Sequence, residues 1–250
     1  HKGGVEDMRQ LKDVLILWGS MLASMGLVSL LLRISPFNQL SATLITGLQE
    51  SLLLGIVLLF NAAWFQQPLH YRNVPISWPQ FKPVLPTLLV TAFITSLALL
   101  SARQWSTTFA ALSVAVLISL FEETSFRGLL FQLCRSTWGV LPGALLSSVF
   151  FSLTHLLNLN HQTLTATLLQ LAFTFVLGLL LCLVTVQTKS LFWGIVIHTA
   201  NDFFSTMAPT IQLPGITTTA QFQIFEIIII IILIAPLSVT IHGQVDQPHH

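Results

Sequence analysis

Long apolar stretches separated by short polar connections run the length of this chain. They fall at about Val14–Leu32, Leu44–Phe65, Val84–Leu100, Phe109–Cys134, Val140–Leu157, Ala166–Val186, Leu191–Met207 and Gln223–Ile241. Each is close to the ~20 apolar residues that a helix needs to cross a bilayer. A spanning β-barrel would alternate apolar and polar residues, and stretches such as LLLGIVLLF and IIIIIILI do not. The pattern predicts an all-α polytopic membrane protein of about eight transmembrane helices, with a core bundle formed by the fourth to seventh.

Composition supports this reading. Of 250 residues, 54% are hydrophobic and only 8% charged, against about 25% charged in an average soluble domain. The expectation is a single transmembrane domain over residues 1–250, with little room for anything else. Ten basic and nine acidic residues give a net charge of +1, so no basic field exists to hold nucleic acid by its phosphates. Cys134 and Cys182 lie in apolar stretches without metal-knuckle or disulfide spacing.

Lysines and arginines in the short connections favour both termini on the cytoplasmic side. With that orientation Lys2, Arg9, Lys12, Arg72, Lys82, Arg135 and Lys189 face the cytoplasm, and only Arg33 and Arg103 face out. The first run reads as a membrane helix, since no small-residue cleavage site follows it. The connection Gln66–Lys82 carries prolines with Tyr71 and Trp78, and is expected to rest on the membrane surface. Residues 1–7 and 242–250 look unlike the rest and are expected to be flexible or foreign to the fold, with Met8 as the natural start.

Charge inside the bilayer is the informative exception, because each such group costs at least about 3 kcal/mol on insertion scales. Glu122, Glu123 and Arg127 lie in the fourth run, His155 in the fifth, and His198 and Asp202 in the seventh. Glu123 and Arg127 are four apart and predict an ion pair that offsets their insertion, a structural role. Glu122 points about 100° away and must look to another helix. At about 1.5 Å per residue, Glu122, His155 and Asp202 come out about 20 Å from the cytoplasmic ends of their helices and His198 about 14 Å, so one site can draw on all four. Glu50 is expected to make a buried polar contact with another helix, and Glu226 to sit at the outer interface. His70 and His161 fall in loops and carry no role.

Three strings then appear in order: Glu122-Glu123-Thr124-Ser125-Phe126-Arg127 fits EExxxR, Phe151 to His155 fits FxxxH, and His198 to Asp202 fits HxxxN/D. They resemble the CAAX protease and bacteriocin-processing family, also called the Abi family, over a core of roughly residues 109–207. The resemblance implies an eight-helix fold and an intramembrane glutamate protease similar to type II CAAX prenyl endopeptidase, in which Glu122 and His155 would activate water. Many members carry Asn in the third motif where this chain has Asp202.

The residue types suit hydrolysis independently of the family. A carboxylate among Leu and Phe, here Glu122, is placed for proton traffic with water. His155 can share that proton and pass it to the leaving amine, and His198 can donate to the oxyanion. Asp202 is read as a protonated donor to the same oxygen, with orientation of the His198 ring as the alternative, and Asn201 can supply an amide instead. No cofactor or metal is expected. The partners are a peptide or protein substrate arriving from membrane or cytoplasm, and the lipid bilayer itself, with a bacterial plasma membrane as the expected location. Two other readings stand beside this one: a zinc version using Glu122, His155 and His198 as ligands, weakened by the lack of HExxH, and a non-enzymatic immunity or scaffold protein.

Overall fold

Helix follows every apolar run. The computed structural model describes residues 2–34, 37–72, 75–102, 104–207 and 219–245. It is 89% helical, with no strand among the described residues. The long elements are α1 (Lys2–Leu32), α2 (Ala42–Phe60), a short α3 (Trp78–Phe81), α4 (Leu85–Leu100), α5 (Trp105–Glu122), α6 (Phe131–Trp138), α7 (Val140–Thr154), α8 (Leu164–Thr188), α9 (Leu191–Met207) and α10 (Thr219–Val245). Among the described residues, seven spans are long and apolar enough to cross a membrane. The seventh expected run forms α9, 17 residues long and so about 25 Å by helical rise. The protein is a multi-pass, all-α membrane protein.

The bundle is built on α8, which lies against α7, α9 and α10, while α9 also packs on α4 and α5, and α2 bridges α1 and α5. Close approach needs small side chains where no hydrophobic effect drives helices together. Gly178 of α8 meets α7 at Ser148, where an added Cβ would stand 2.9 Å from the serine Cβ. One apolar core gathers Leu17, Leu53, Phe126, Leu129 and Phe151, and a second gathers Val84, Leu180, Ile197, Leu233 and Leu237. Leu59, Leu100, Ile232 and Val239 point outward, as lipid-facing positions should.

Residues 2–7 and 242–245 continue α1 and α10 as helix. Residue 1, residues 246–250 and Arg103 lie outside the described residues. One expectation needs correction. The connection after α2 does not simply rest on the surface. It folds back on the bundle: the Leu191 N–H donates to His70 O at 2.8 Å, the Ser190 hydroxyl donates to Arg72 O at 2.6 Å, and Leu69 packs on Gly128. Its backbone groups thereby find partners that a surface loop would seek in water. Trp78 is exposed, as an interfacial aromatic would be.

Candidate active site

The EExxxR string does not sit on a regular α-helix. Glu123–Leu130 forms a π-helical segment, every residue of it buried, between α5 and α6. Such wide turns loosen the regular hydrogen-bond ladder and occur often at functional sites. Side chains support the carbonyls here: Ser147 of α7 donates to Phe126 O at 3.0 Å and Gln132 donates to Arg127 O at 3.1 Å.

The predicted ion pair is present, with Arg127 Nη1 3.0 Å from Glu123 Oε1 and both side chains fully buried. No guanidinium N–H is aligned for a hydrogen bond among the described residues. Charge neutralisation and the Phe151 ring, 4.4 Å from the guanidinium carbon, hold it in place.

Glu123 does more than balance this arginine. The same Oε1 lies 2.8 Å from His198 Nδ1, which places a carboxylate on the ring nitrogen that fixes the imidazole's orientation. From the other side Glu122 Oε2 lies 3.3 Å from His198 Nε2, and Asp202 Oδ2 lies 3.6 Å from that nitrogen. Three carboxylates from two helices therefore surround one buried imidazole. Gly194 makes room for this cluster, since a Cβ there would lie 3.0 Å from Glu123 Oε2. Exposure divides the carboxylates: Glu123 is sealed at 0%, whereas the side chains of Glu122 and Asp202 keep 15% and 25%. Only the latter two can meet a substrate.

His155 stands where α7 gives way to a 3₁₀ turn, His155–Asn160. Its Nδ1 lies 3.0 Å from Phe151 O. A carbonyl only accepts, so Nδ1 carries the proton and Nε2 of the neutral ring offers its lone pair. The Phe151 ring meets His155 edge-on at 5.1 Å and His198 edge-on at 5.9 Å. The phenylalanine of FxxxH thus spaces the two imidazoles and supports Arg127 as well. Asn201 is buried beside Asp202 in sequence.

Three residues play parts that sequence reasoning did not assign. Glu123 was read as structural only, and its reach to His198 depends on the π-helical turn. Glu50 was expected to bond another helix. It bonds its own neighbour, Gln49, at 3.3 Å, and lies within electrostatic reach of Glu122 and Asp202. Depth held the signal: Glu50 is ten residues from the Phe60 end of α2, about 15 Å by helical rise, level with His198. Glu226 faces a cavity between helices instead of the outer interface.

Tyr71 is the third, tying the folded-back connection to the site. The Thr124 hydroxyl donates to Leu120 O at 2.6 Å, so the Tyr71 hydroxyl donates to Thr124 Oγ1 at 2.7 Å. Burial pushes the phenol up from its ordinary value, and the Thr124 contact pulls it partly back. The chain has a single tyrosine, so phenolate absorbance reads this group alone. Its ionisation is expected at higher pH than that of a free phenol, with the stability of the contact present where the phenol is neutral and lost as pH rises and it ionises. A free-phenol titration curve in the folded protein would contradict the buried hydrogen bond.

Among the described residues no group of three or more His, Cys, Asp or Glu side chains is arranged to hold a metal ion. Glu122, His155 and His198 do not form the donor set that the zinc reading requires. The geometry left is that of a buried carboxylate and imidazole cluster open to substrate on one side. Residues 103–204 match the family model of Type II CAAX prenyl endopeptidase Rce1-like. The Rce1-like segment contains all seven candidate residues from Glu122 to Asp202 and supports a CAAX-type intramembrane endopeptidase. No curated protein and no solved structure matches the chain.

Proposed function

We propose that this protein is an intramembrane glutamate endopeptidase that hydrolyses a peptide bond with water activated by Glu122 and His155. The observation that carries the reading is the cluster on His198, in which Glu122 and Asp202 face the opening while Glu123 and Arg127 are sealed behind them. Glu122 accepts the proton of the attacking water. The resulting hydroxide adds to the substrate carbonyl, and His198, held at Nδ1 by Glu123, donates from Nε2 to the oxyanion. His155 Nε2 takes up the proton that Glu122 removed from water and delivers it to the leaving amine as the C–N bond breaks, which releases the carboxylic acid and the amine and returns both residues to their starting forms. Residues 109–207 form the catalytic core in this reading. Both termini face the cytoplasm, and the setting is a bacterial plasma membrane.

Glu123 already occupies the orienting nitrogen of His198, which favours the donor role for Asp202. Asp202→Asn is then expected to preserve or raise activity, because an amide donates at every pH. A loss on the order of a hundredfold at all pH values would instead mark Asp202 as a partner that positions the ring.

The main test compares the peptides of membranes carrying wild-type protein with those carrying Glu122→Gln. Products present only with wild type support the reading and reveal the cleaved substrate. Identical peptide profiles at equal protein levels would overturn it.

A further inference from the structure

A cavity of about 500 Å³ lies between α4, α8, α9 and α10, within the ~300–1,000 Å³ usual for ligand pockets. Its walls are almost wholly apolar, with Ile94, Leu180, Ile197 and Phe225 among them. Two polar groups in it stand out. The Thr87 hydroxyl, on a residue 2% exposed, has no hydrogen-bond partner among the described residues. Glu226 lines the cavity too, and its carboxyl has no hydrogen bond or ion pair among the described residues. Thr91 also lines it, but its hydroxyl is already committed to Thr87 O at 2.8 Å.

The cavity lies next to the catalytic cluster along α9. Asn201, the residue before Asp202, forms part of its wall. The levels agree as well. Phe204 near the end of α9 and Phe222 near the start of α10 meet at 5.5 Å between ring centroids, and both helices run into the bundle from that contact. Asn201 lies three residues down α9 and Glu226 four residues down α10, about 4.5 and 6 Å respectively by helical rise.

A carboxyl in a membrane-spanning helix that finds no partner among the described residues is costly to keep and marks a functional position by default. An alkyl chain alone would leave it unpaired. A primary ammonium on a flexible alkyl stem matches the cavity, because the stem runs along the apolar wall and the head brings its donors to the carboxylate oxygens. We propose that this cavity is a specificity pocket for a lysine side chain of the substrate, held by Glu226. The assignment to a substrate side chain rests on the protease reading above; the amine chemistry of the pocket does not.

The test uses n-hexylamine as the probe for the lysine stem and head, with full-length Glu122→Gln protein in lipid nanodiscs so that no turnover intervenes. Hexylamine is expected to raise the melting temperature, and n-hexanol at equal concentration is not. Adding Glu226→Gln should remove the amine shift; this change replaces an ionisable group in a span by a neutral one of the same size, and a wild-type melting temperature without amine checks that the variant folds. Equal shifts from hexanol and hexylamine, or an amine shift that survives Glu226→Gln, would overturn the pocket and mark the cavity as a place for lipid tails. In proteoliposomes, wild type should cleave quenched peptides containing lysine at least about tenfold faster in kcat/KM than the norleucine counterparts. Glu226→Gln should erase that preference, and its persistence would overturn the proposal. Absence of any cleavage alongside Glu226-dependent amine binding supports the pocket and counts against the protease reading alone.

Discussion

Glu122→Gln is expected to lose proteolysis by about 10²- to 10⁴-fold, the range for removing a general base, while the protein folds as before. Glutamine keeps the length and shape of the side chain and can still bond His198 Nε2, now 3.3 Å from Glu122 Oε2. It cannot take the proton of water. The Glu123–Arg127 pair and the Glu123–His198 contact do not involve residue 122, so the scaffold of the site survives. Stability should even rise slightly. Glu122 stands near Asp202 and Glu50, and removing one of several neighbouring carboxylates relieves repulsion at the expense of activity, a common trade at catalytic centres. Turnover and thermal melting of the same preparation check both halves. Wild-type turnover would sink the glutamate mechanism, and a collapsed melt would show that Glu122 serves the fold.

The apolar runs alone make the multi-pass helical fold legible, because a bilayer requires every spanning segment to satisfy its backbone internally, and only long apolar helices do so. Charge in those runs is legible for the complementary reason. Glu122, His198 and Asp202 could not remain in a membrane without converging, and they do converge. What stayed hidden depends on backbone detail. Nothing in LFEETSFRGLL announces a π-helical turn, and that turn goes with both neighbouring glutamates gripping one imidazole although adjacent residues of an α-helix diverge by about 100°. The Tyr71–Thr124 bond joins residues 53 apart in sequence. It follows from the fold of a polar connection, for which periodicity gives no rule. Glu226 was misplaced at the outer interface because position along α10 gives depth but not which neighbours stand around it.

Arg127→Ala is expected to destabilise the protein by about 3–5 kcal/mol, the cost of stranding a buried charge whose partner has been removed. Glu123, at 0% exposure, would keep its contact with His198 but lose the guanidinium beside it. Arg127 is also among the largest fully buried side chains, so alanine would open a cavity beneath Phe151 and lose the cation–ring contact at 4.4 Å, worth about 1–2 kcal/mol when desolvated. Both imidazoles lean on that ring at 5.1 and 5.9 Å, and activity should therefore fall with stability. Arg127→Lys restores a positive charge but not the planar contact with Phe151, so it should lie between wild type and alanine. The double change Glu123→Gln with Arg127→Leu removes both charges and should recover part of the lost stability, because a neutral pair carries no stranded charge. It should stay inactive, since His198 then has no carboxylate on Nδ1. Thermal melts of the four proteins in one detergent decide the matter. A normal melting temperature for Arg127→Ala, or a double variant no more stable than that single one, would refute the view that this buried pair holds the catalytic helix together.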